Sequence, residues 1–319
     1  MSVSRHLVDL EIAPMLDMPS LDLTDESLPE IRANPLFTGE LVPPPPFPVS
    51  EAFAPVKGGP PENPDVRLVV MNPPSDATDR GAVLHIHGGG MVVGTADRAV
   101  VDKPYLALEH DCVVVSVDYR LAPETPFPGP QEDNHAALLW LVENAAGLGV
   151  DPAKIVVMGE SAGGGLAASL ALMVRDRGGP RLAGQVLIYP MLDWRTGGPD
   201  CLYGNRHTGE FVWTREKNRY GWEALRGDYT PSDSRKAWFS PALADDLSGL
   251  PPTYISTGAL DLFLDEDLAY ARRLIDCGVQ CELHVYPGAI HAFEMVPETS
   301  LAEQAAMDLR RGLGRLFGR

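Results

Sequence analysis

Short runs rich in β-branched residues alternate along this chain with longer stretches whose apolar residues recur at helical spacing. In one such stretch, Leu166, Leu170, Met173 and Val174 fall on a single helical face. Strands that alternate with helices pair in parallel, and the helices cover both faces of the sheet. The pattern therefore predicts an α/β fold with a mostly parallel sheet. The predicted strands are residues 67–70, 83–87, 113–117, 155–158, 186–189, 253–257 and 283–286.

Two segments interrupt this alternation. Residues 1–50 show no regular pattern and end in the proline-rich run 43–48, which favours a stiff, extended connector. Residues 193–240 carry aromatic, charged and turn-forming residues without a clear strand. Insertions this long are usually functional, and ligands bind at the carboxyl edge of open α/β sheets. We therefore predict a catalytic domain made of residues 51–192 and 241–319, with a cap formed by residues 1–50 and 193–240.

The chain is strongly acidic. Its 319 residues include 26 Lys and Arg against 44 Asp and Glu, which gives a formal net charge of −18 at pH 7. A surplus of negative charge repels the phosphate backbone of nucleic acids and the surface of anionic membranes. We therefore expect no nucleic-acid partner. The longest apolar runs fall short of the roughly 18 residues that a membrane span requires, so no stable membrane insertion is expected.

Two features of the sequence predict a cytoplasmic location. Acidic residues interrupt the first 20 positions, which therefore lack the apolar core of a signal peptide. The cysteines do not complete a zinc-binding pattern, and unpaired thiols are typical of a reducing compartment. These cysteines are Cys112, Cys201, Cys277 and Cys281.

The clearest chemical signal lies between the predicted strand 155–158 and the helical stretch that carries Leu166. It reads Gly159, Glu160, Ser161, Ala162, Gly163. A sharp strand-to-helix turn strains its central residue, and side chains two positions before and after that residue would collide, so glycine fits there. Such a turn exposes the Ser161 hydroxyl at a helix N-terminus, where N–H groups and the helix dipole favour negative charge. We therefore predict that Ser161 is a nucleophile.

A second signal follows the predicted strand 83–87 and consists of His87, Gly88, Gly89 and Gly90. Successive glycines leave backbone N–H groups uncovered, so these groups can donate to an oxygen that becomes negative in a tetrahedral intermediate. HGGG-type motifs form the oxyanion hole of lipases and esterases. Glycine-rich turns after a strand also bind phosphate or simply reverse the chain, and both alternatives stay open at this point.

Several motifs occur in the order found in the bacterial hormone-sensitive-lipase-type carboxylesterases, and the chain resembles that family. The motifs are HGGG at 87–90, YRLAPE at 119–124, GESAGG at 159–164 and the segment 250–291. The resemblance runs from about Val69 to the C-terminus and implies an α/β-hydrolase fold with a helical cap. It further implies hydrolysis of short- to medium-chain carboxylic esters, with the amides of Gly88, Gly89 and Ala162 as the oxyanion hole. A homodimer formed through segments 281–286 and 301–316 is also implied.

A nucleophilic serine needs a base, and in the α/β-hydrolase fold the base follows the serine and the acid along the chain. Of the histidines after Ser161, His207 lies in the predicted cap, and His284 lies within the strand 283–286, facing one side of the sheet. His291 follows that strand in a loop and is the predicted base. The order excludes His6, His85, His87, His110 and His135.

The predicted acid is Asp261, which follows the strand 253–257 at the carboxyl edge of the sheet. Asp265 or a neighbouring carboxylate, Glu266 or Asp267, remains an alternative, and Asp193 is a more distant one. Asp265, Glu266 and Asp267 also open the next predicted helix, where carboxylates are expected as partners of the helix dipole. Members of the resembled family usually carry proline after the acid and glycine after the histidine, whereas this chain has Leu262 and Ala292.

These residues together predict a serine carboxylesterase that acts on a small-molecule ester through an acyl-enzyme and requires neither a metal nor an organic cofactor. The same residues could hydrolyse amides, carbamates or lactones, and the sequence does not separate these reactions. A non-catalytic ligand receptor on the same scaffold, as in the plant gibberellin receptors, is a third possibility. Such receptors lack the catalytic histidine, so His291 argues against it.

Overall fold

The computed structural model describes residues 2–17, 22–34, 44–56, 65–232 and 234–318. Its strands are β1 Ser50–Ala54, β2 Val66–Met71, β3 Arg80–Ile86, β4 Val113–Val117, β5 Val150–Glu160, β6 Gly184–Ile188, β7 Thr253–Gly258 and β8 Cys281–Tyr286. They form a central eight-stranded sheet with the order β1-β2-β4-β3-β5-β6-β7-β8. Strands β3 to β8 pair in parallel, whereas β1 and β2 join the edge antiparallel. The predicted α/β fold is therefore confirmed.

Helices cover both faces of the sheet, and the sheet separates two hydrophobic cores. Neighbouring residues on one strand point to opposite faces, so Leu84 packs into one core and Val83 into the other. The α-helices are α1 Leu28–Arg32, α2 Lys103–Glu109, α3 Gly129–Leu148, α4 Ala162–Arg177, α5 Arg215–Arg226, α6 Lys236–Phe239, α7 Leu264–Asp276 and α8 Ser300–Leu316. Helices α3, α4 and α7 pack on the first face, and α2 and α8 on the second.

The N-terminal segment contains more regular structure than the sequence predicted. Its described part includes α1 and the short 3-10 helices Arg5–Leu7 and Ala13–Asp17, and β1 begins at Ser50. The prediction of an irregular segment up to residue 50 is therefore wrong for these stretches. Within the proline-rich run 43–48, residue 43 lies outside the described residues, and residues 44–48 are in neither a helix nor a strand.

The insertion, defined as residues 193–240, contains α5 and α6 and no strand in its described stretches 193–232 and 234–240. It contacts the N-terminal segment, because the Tyr220 hydroxyl on α5 donates to Asp25 at 3.0 Å. Among the described residues, no helix is both long enough and apolar enough to cross a membrane.

Candidate active site

The tight turn between β5 and α4 holds Ser161 in a strained conformation. Ser161 has φ 55° and ψ −119°, a backbone region that non-glycine residues rarely adopt and that costs on the order of 1–3 kcal/mol. Its N–H donates to the Ile188 carbonyl at 2.9 Å, which fixes the turn against the end of β6. A Cβ at Gly159 would overlap the backbone of Gly163, and one at Gly163 would overlap the Ile86 carbonyl. The glycines thus permit the close approach that presents the serine hydroxyl.

Strand register brings the glycine-rich loop beside this turn. Ile86 on β3 pairs with Gly159 on β5, so the chain emerges from both strands at the same level. A Cβ at Gly88 would lie 3.5 Å from the Cβ of Ser161. Gly89 has φ 112°, which favours glycine, and its carbonyl accepts from the N–H groups of two following loop residues. Ala162 is the first residue of α4, so its N–H belongs to the turn that lacks intrahelical acceptors.

His87 orients the first peptide of this loop. Burial lowers the pKa of His87 to about 4, so its ring is neutral at pH 7. Its Nδ1 lies 2.7 Å from the Gly88 carbonyl oxygen, a distance at which the protonated nitrogen donates to it. In a trans peptide the carbonyl and the next N–H point in opposite directions, so this bond directs the Gly89 N–H away from His87. Tyr119 stacks on the ring at 4.2 Å between centroids and holds it in place.

The structure brings the predicted nucleophile, base and acid into one hydrogen-bonded chain. His291 Nε2 lies 3.0 Å from Ser161 Oγ, and His291 Nδ1 lies 2.7 Å from Asp261 Oδ2. The other Asp261 oxygen accepts from the Phe263 N–H at 2.9 Å. Ser161 is 6% exposed, His291 5% and Asp261 1%. The three side chains form a hydrogen-bonded relay that is largely shielded from solvent, where electrostatic interactions are stronger than in bulk water.

The alternative carboxylates have other positions or partners. Both oxygens of Asp193 accept from the Arg195 guanidinium, at 2.7 and 2.8 Å. Asp265 lies in the first turn of α7, as expected of a partner for the helix dipole. Among these carboxylates, Asp261 is the one that contacts His291.

Both departures from the resembled family lie in this site. Ala292 has φ 57°, in the left-handed region that glycine adopts without strain. Its presence after His291 therefore costs backbone strain that a glycine would avoid. Leu262 is 4% exposed and packs against Gly209, where any side chain would overlap it. This leucine thus joins the loop of Asp261 to the insertion.

A buried ion network lies beneath the nucleophile, and the sequence did not reveal it. Glu160 contacts Lys103 Nζ at 2.8 Å and His85 Nε2 at 2.9 Å. Burial alone would raise the pKa of Glu160, but Lys103 and His85 outweigh it and hold this pKa far below its ordinary value. Burial would lower the pKa of Lys103, but Asp102 and Glu160 raise it instead. Both partners are therefore charged at pH 7, directly before the strained Ser161.

Glu266 joins the start of the insertion to α7. One of its oxygens accepts from the backbone N–H groups of Leu192 at 2.7 Å and Asp193 at 3.1 Å, and the other accepts from the Thr196 hydroxyl. Glu266 is fully buried. Burial, together with the charge of Asp193, raises its pKa well above the ordinary value. The sequence pattern explained this residue only as a partner of the helix dipole.

No metal site accompanies the relay in the part of the chain that the structure describes, where no group of three His, Cys, Asp or Glu residues is arranged to hold an ion. All four cysteines lie in that part, and none forms a disulfide. The chemistry that these side chains can support is nucleophilic attack by a serine, assisted by an imidazole and a carboxylate.

The sheet topology and the Ser–His–Asp relay define the class of protein as a hydrolase of the α/β-hydrolase fold. The family described as alpha/beta hydrolase fold matches residues 83–295, which is more than half of the chain. The chain therefore belongs to the hormone-sensitive-lipase-type carboxylesterases of this fold, and it is a carboxylic ester hydrolase.

Curated relatives and solved structures agree with this assignment. Carboxylesterase NlhH of Mycobacterium tuberculosis is 36% identical over 258 residues, covering 79% of this chain and 78% of the relative. An arylesterase of Saccharolobus solfataricus is 36% identical over 228 residues, covering 71% of this chain and 72% of the relative. The solved structure of a bacterial heroin esterase is similar with a TM-score of 0.87 and 36% identity, covering 98% of each chain.

Proposed function

We propose that this chain hydrolyses short- to medium-chain carboxylic esters, with Ser161 as nucleophile, His291 as general base and acid, and Asp261 as the orienting carboxylate. The observation that carries the proposal is the continuous contact from Ser161 Oγ through His291 to Asp261, at 3.0 and 2.7 Å. These distances are within the hydrogen-bonding range that proton transfer requires.

In the first half of the reaction, Ser161 attacks the ester carbonyl while His291 takes its proton. The carbonyl oxygen becomes negative and accepts hydrogen bonds from the amides of Gly88, Gly89 and Ala162. Each such donor typically contributes about 10²- to 10³-fold to the rate. His291 then gives the proton to the leaving alcohol, and the acyl group stays bonded to the serine.

In the second half, water attacks the acyl-enzyme and His291 takes the proton of the water. Collapse of the intermediate releases the carboxylic acid and returns the proton to Ser161. Asp261 remains ionised throughout, fixes the imidazole tautomer and stabilises the imidazolium. The chain needs no metal or organic cofactor for either half.

The N-terminal segment and the insertion together would form the cap. The Arg32 side chain on α1 supports this, because it donates to the Val92 carbonyl at 2.8 Å, just after the glycine-rich loop. A Cβ at Gly221 of α5 would lie 2.6 Å from the Gly90 carbonyl oxygen, so the insertion also packs on this loop. The homodimer and the cytoplasmic location stay predictions from the sequence.

Rapid mixing with p-nitrophenyl acetate tests this proposal. We expect a burst of about one p-nitrophenol per chain, because the activated leaving group makes acylation faster than hydrolysis of the acyl-enzyme. Ser161→Ala should lower kcat by about 10⁴-fold or more. Ser169→Ala, a second buried serine on α4, is the matched control and should retain the burst. Ester hydrolysis retained in a folded Ser161→Ala sample would refute the assignment, and a panel of acyl lengths, amides, carbamates and lactones would rank the substrates.

A further inference from the structure

Trp213 of the insertion contacts both the base and the glycine-rich loop. Three aromatic rings surround His291: Tyr189 at 4.7 Å, Phe263 at 5.4 Å and Trp213 at 6.1 Å between ring centroids. The first two lie on segments that follow β6 and β7, whereas Trp213 comes from the insertion. The far edge of its indole lies against Gly90, where any side chain would overlap the ring. The indole therefore spans the distance between the imidazole and the oxyanion loop.

Hydrogen bonds and backbone strain fix this ring. The indole N–H donates to Asn218 Oδ1 at 3.1 Å, and the Asn218 amide donates to the Thr196 carbonyl at 2.7 Å. Asn218 is fully buried, and Trp213 is 9% exposed. Val212, directly before Trp213, has φ 57°, a conformation that a β-branched residue adopts only when its surroundings enforce it. Because the ring is held at both ends, it acts as a rigid wall.

The geometry of a tetrahedral intermediate determines which part of the substrate meets this wall. The reacting carbon is bonded to Ser161 Oγ, and its negative oxygen points to the amides of the glycine-rich loop. The leaving oxygen must lie within reach of His291 Nε2, because it receives its proton there. The acyl chain takes the remaining direction, away from both. The alcohol portion therefore begins beside the imidazole, and Trp213, whose ring centroid lies 6.1 Å from that of His291, borders this side of the site.

We propose that Trp213 is a specificity-determining residue that limits branching at the carbon attached to the leaving oxygen. The inference rests on the proposed function, because it requires Ser161 and His291 in their assigned roles. A flat, immobile indole accommodates an unbranched alcohol but collides with the additional methyl groups of a tertiary one. Acyl size is not limited by this residue.

Two matched series of esters distinguish an effect of Trp213 on the alcohol portion of the substrate from an effect on its acyl portion. The alcohol series compares ethyl, isopropyl and tert-butyl acetate, followed by acid release, and the acyl series compares p-nitrophenyl acetate, isobutyrate and pivalate. Trp213→Ala should raise kcat/KM for tert-butyl acetate relative to ethyl acetate by about tenfold or more, since one or two methyl groups in a pocket are worth that much. The ratios in the acyl series should stay within about twofold. Trp213→Phe keeps an aromatic ring and should give a smaller change in the same direction, even if the alanine variant folds poorly.

The control is Trp238→Ala, which removes another tryptophan of the insertion whose indole N–H donates to a side chain, Asp176 at 2.8 Å. Trp238→Ala should leave the kcat/KM ratios within both ester series unchanged. A larger shift in the acyl series than in the alcohol series would overturn the inference, as would equal shifts at Trp213 and Trp238. Absence of p-nitrophenyl acetate hydrolysis by the unmodified chain would instead refute the proposed function. Hydrolysis by the unmodified chain, together with alcohol-series ratios that Trp213→Ala leaves unaltered, would refute only the role of Trp213.

Discussion

The carboxyl edge of the sheet and the insertion build the site by different means. Ser161, Asp261 and His291 each follow a strand by at most five residues, so the pairing of β5, β7 and β8 sets their positions. The insertion also uses side chains to position its residues, as where Arg215 donates to the Thr208 carbonyl at 2.7 Å. A backbone hydrogen bond can form at any residue except a proline N–H, whereas such side-chain contacts are lost with single substitutions. The residues at the sheet edge should therefore determine the chemistry of the reaction. The residues of the insertion should determine which esters are hydrolysed.

The largest expected effect is the loss of kcat when the carboxylate of the relay is replaced, compared with the loss when a neighbouring carboxylate on the sheet edge is replaced. Asp261→Asn should lower kcat by about 10³- to 10⁴-fold for every ester, because an amide does not hold the His291 tautomer that accepts the serine proton. The control is Asp265→Asn, which removes a carboxylate four residues along the same chain segment. It should leave kcat nearly unchanged.

Steady-state kinetics with p-nitrophenyl acetate measures both variants. Equal losses at Asp261 and Asp265 would contradict the assignment of the acid. A loss at Asp261 that differed strongly between esters would contradict the division between chemistry at the sheet edge and selectivity in the insertion.

The next prediction compares a buried ion pair under the nucleophile with an exposed pair that joins the insertion to the residues after it. Lys103→Met leaves Glu160 charged and poorly compensated in the interior, so the free energy of unfolding should fall by about 3 kcal/mol. Lys236→Met removes the pair with Asp245, also 2.8 Å long, but the Asp245 side chain is 85% exposed. Its removal should cost less than about 1 kcal/mol.

Denaturant unfolding at pH 7 gives both values. Similar losses in the two variants would show that burial does not distinguish the two ion pairs. A large loss in Lys103→Met together with unchanged kcat in the folded fraction would assign this network to stability alone.

The strands of the parallel sheet and the nucleophile could be predicted because their signals are local. A buried β-branched run and a glycine at each end of a turn are visible in a few consecutive residues, as at Gly159 and Gly163. Strand β1 escaped prediction because its sequence, SEAFA, lacks β-branched residues and it lies on an exposed edge. The N-terminal helices are short and depend on contacts with distant segments, such as that of Arg32 with Val92.

The surroundings of the relay could not be predicted, because they depend on contacts between residues that are far apart in sequence. Lys103 and Glu160 are far apart in sequence, and only the folded chain brings their charges together. A tryptophan in a strand-free insertion gives no sign that it contacts Gly90 and His291. The acid was harder to predict than the base, because Asp265, Glu266 and Asp267 also follow β7 in the sequence. The structure distinguishes them, since of these four carboxylates Asp261 contacts the imidazole.

The smallest effect concerns a carboxyl group at the sheet edge that the reaction does not use. Glu294 lies three residues after His291, and its Oε2 is shielded from solvent without a hydrogen-bond partner. Burial raises the pKa of Glu294 to about 8, and the charges of Glu160 and Asp261 act in the same direction, while a hydrogen bond with Tyr189 opposes them. The folded chain therefore keeps a proton that the unfolded chain releases near pH 4.5.

The unfolded state binds fewer protons between pH 4.5 and about 8, so the contribution of Glu294 to stability falls as the pH rises through this window. Glu294→Gln keeps the shape without the titration. Relative to the unmodified chain, its stability should rise steadily as the pH increases from 4.5 to about 8. Glu298→Gln, at an exposed position in the same segment, should show no such gain. Urea unfolding of the three proteins across this range measures the difference, and parallel pH profiles for all three would mean that Glu294 is charged in the folded chain.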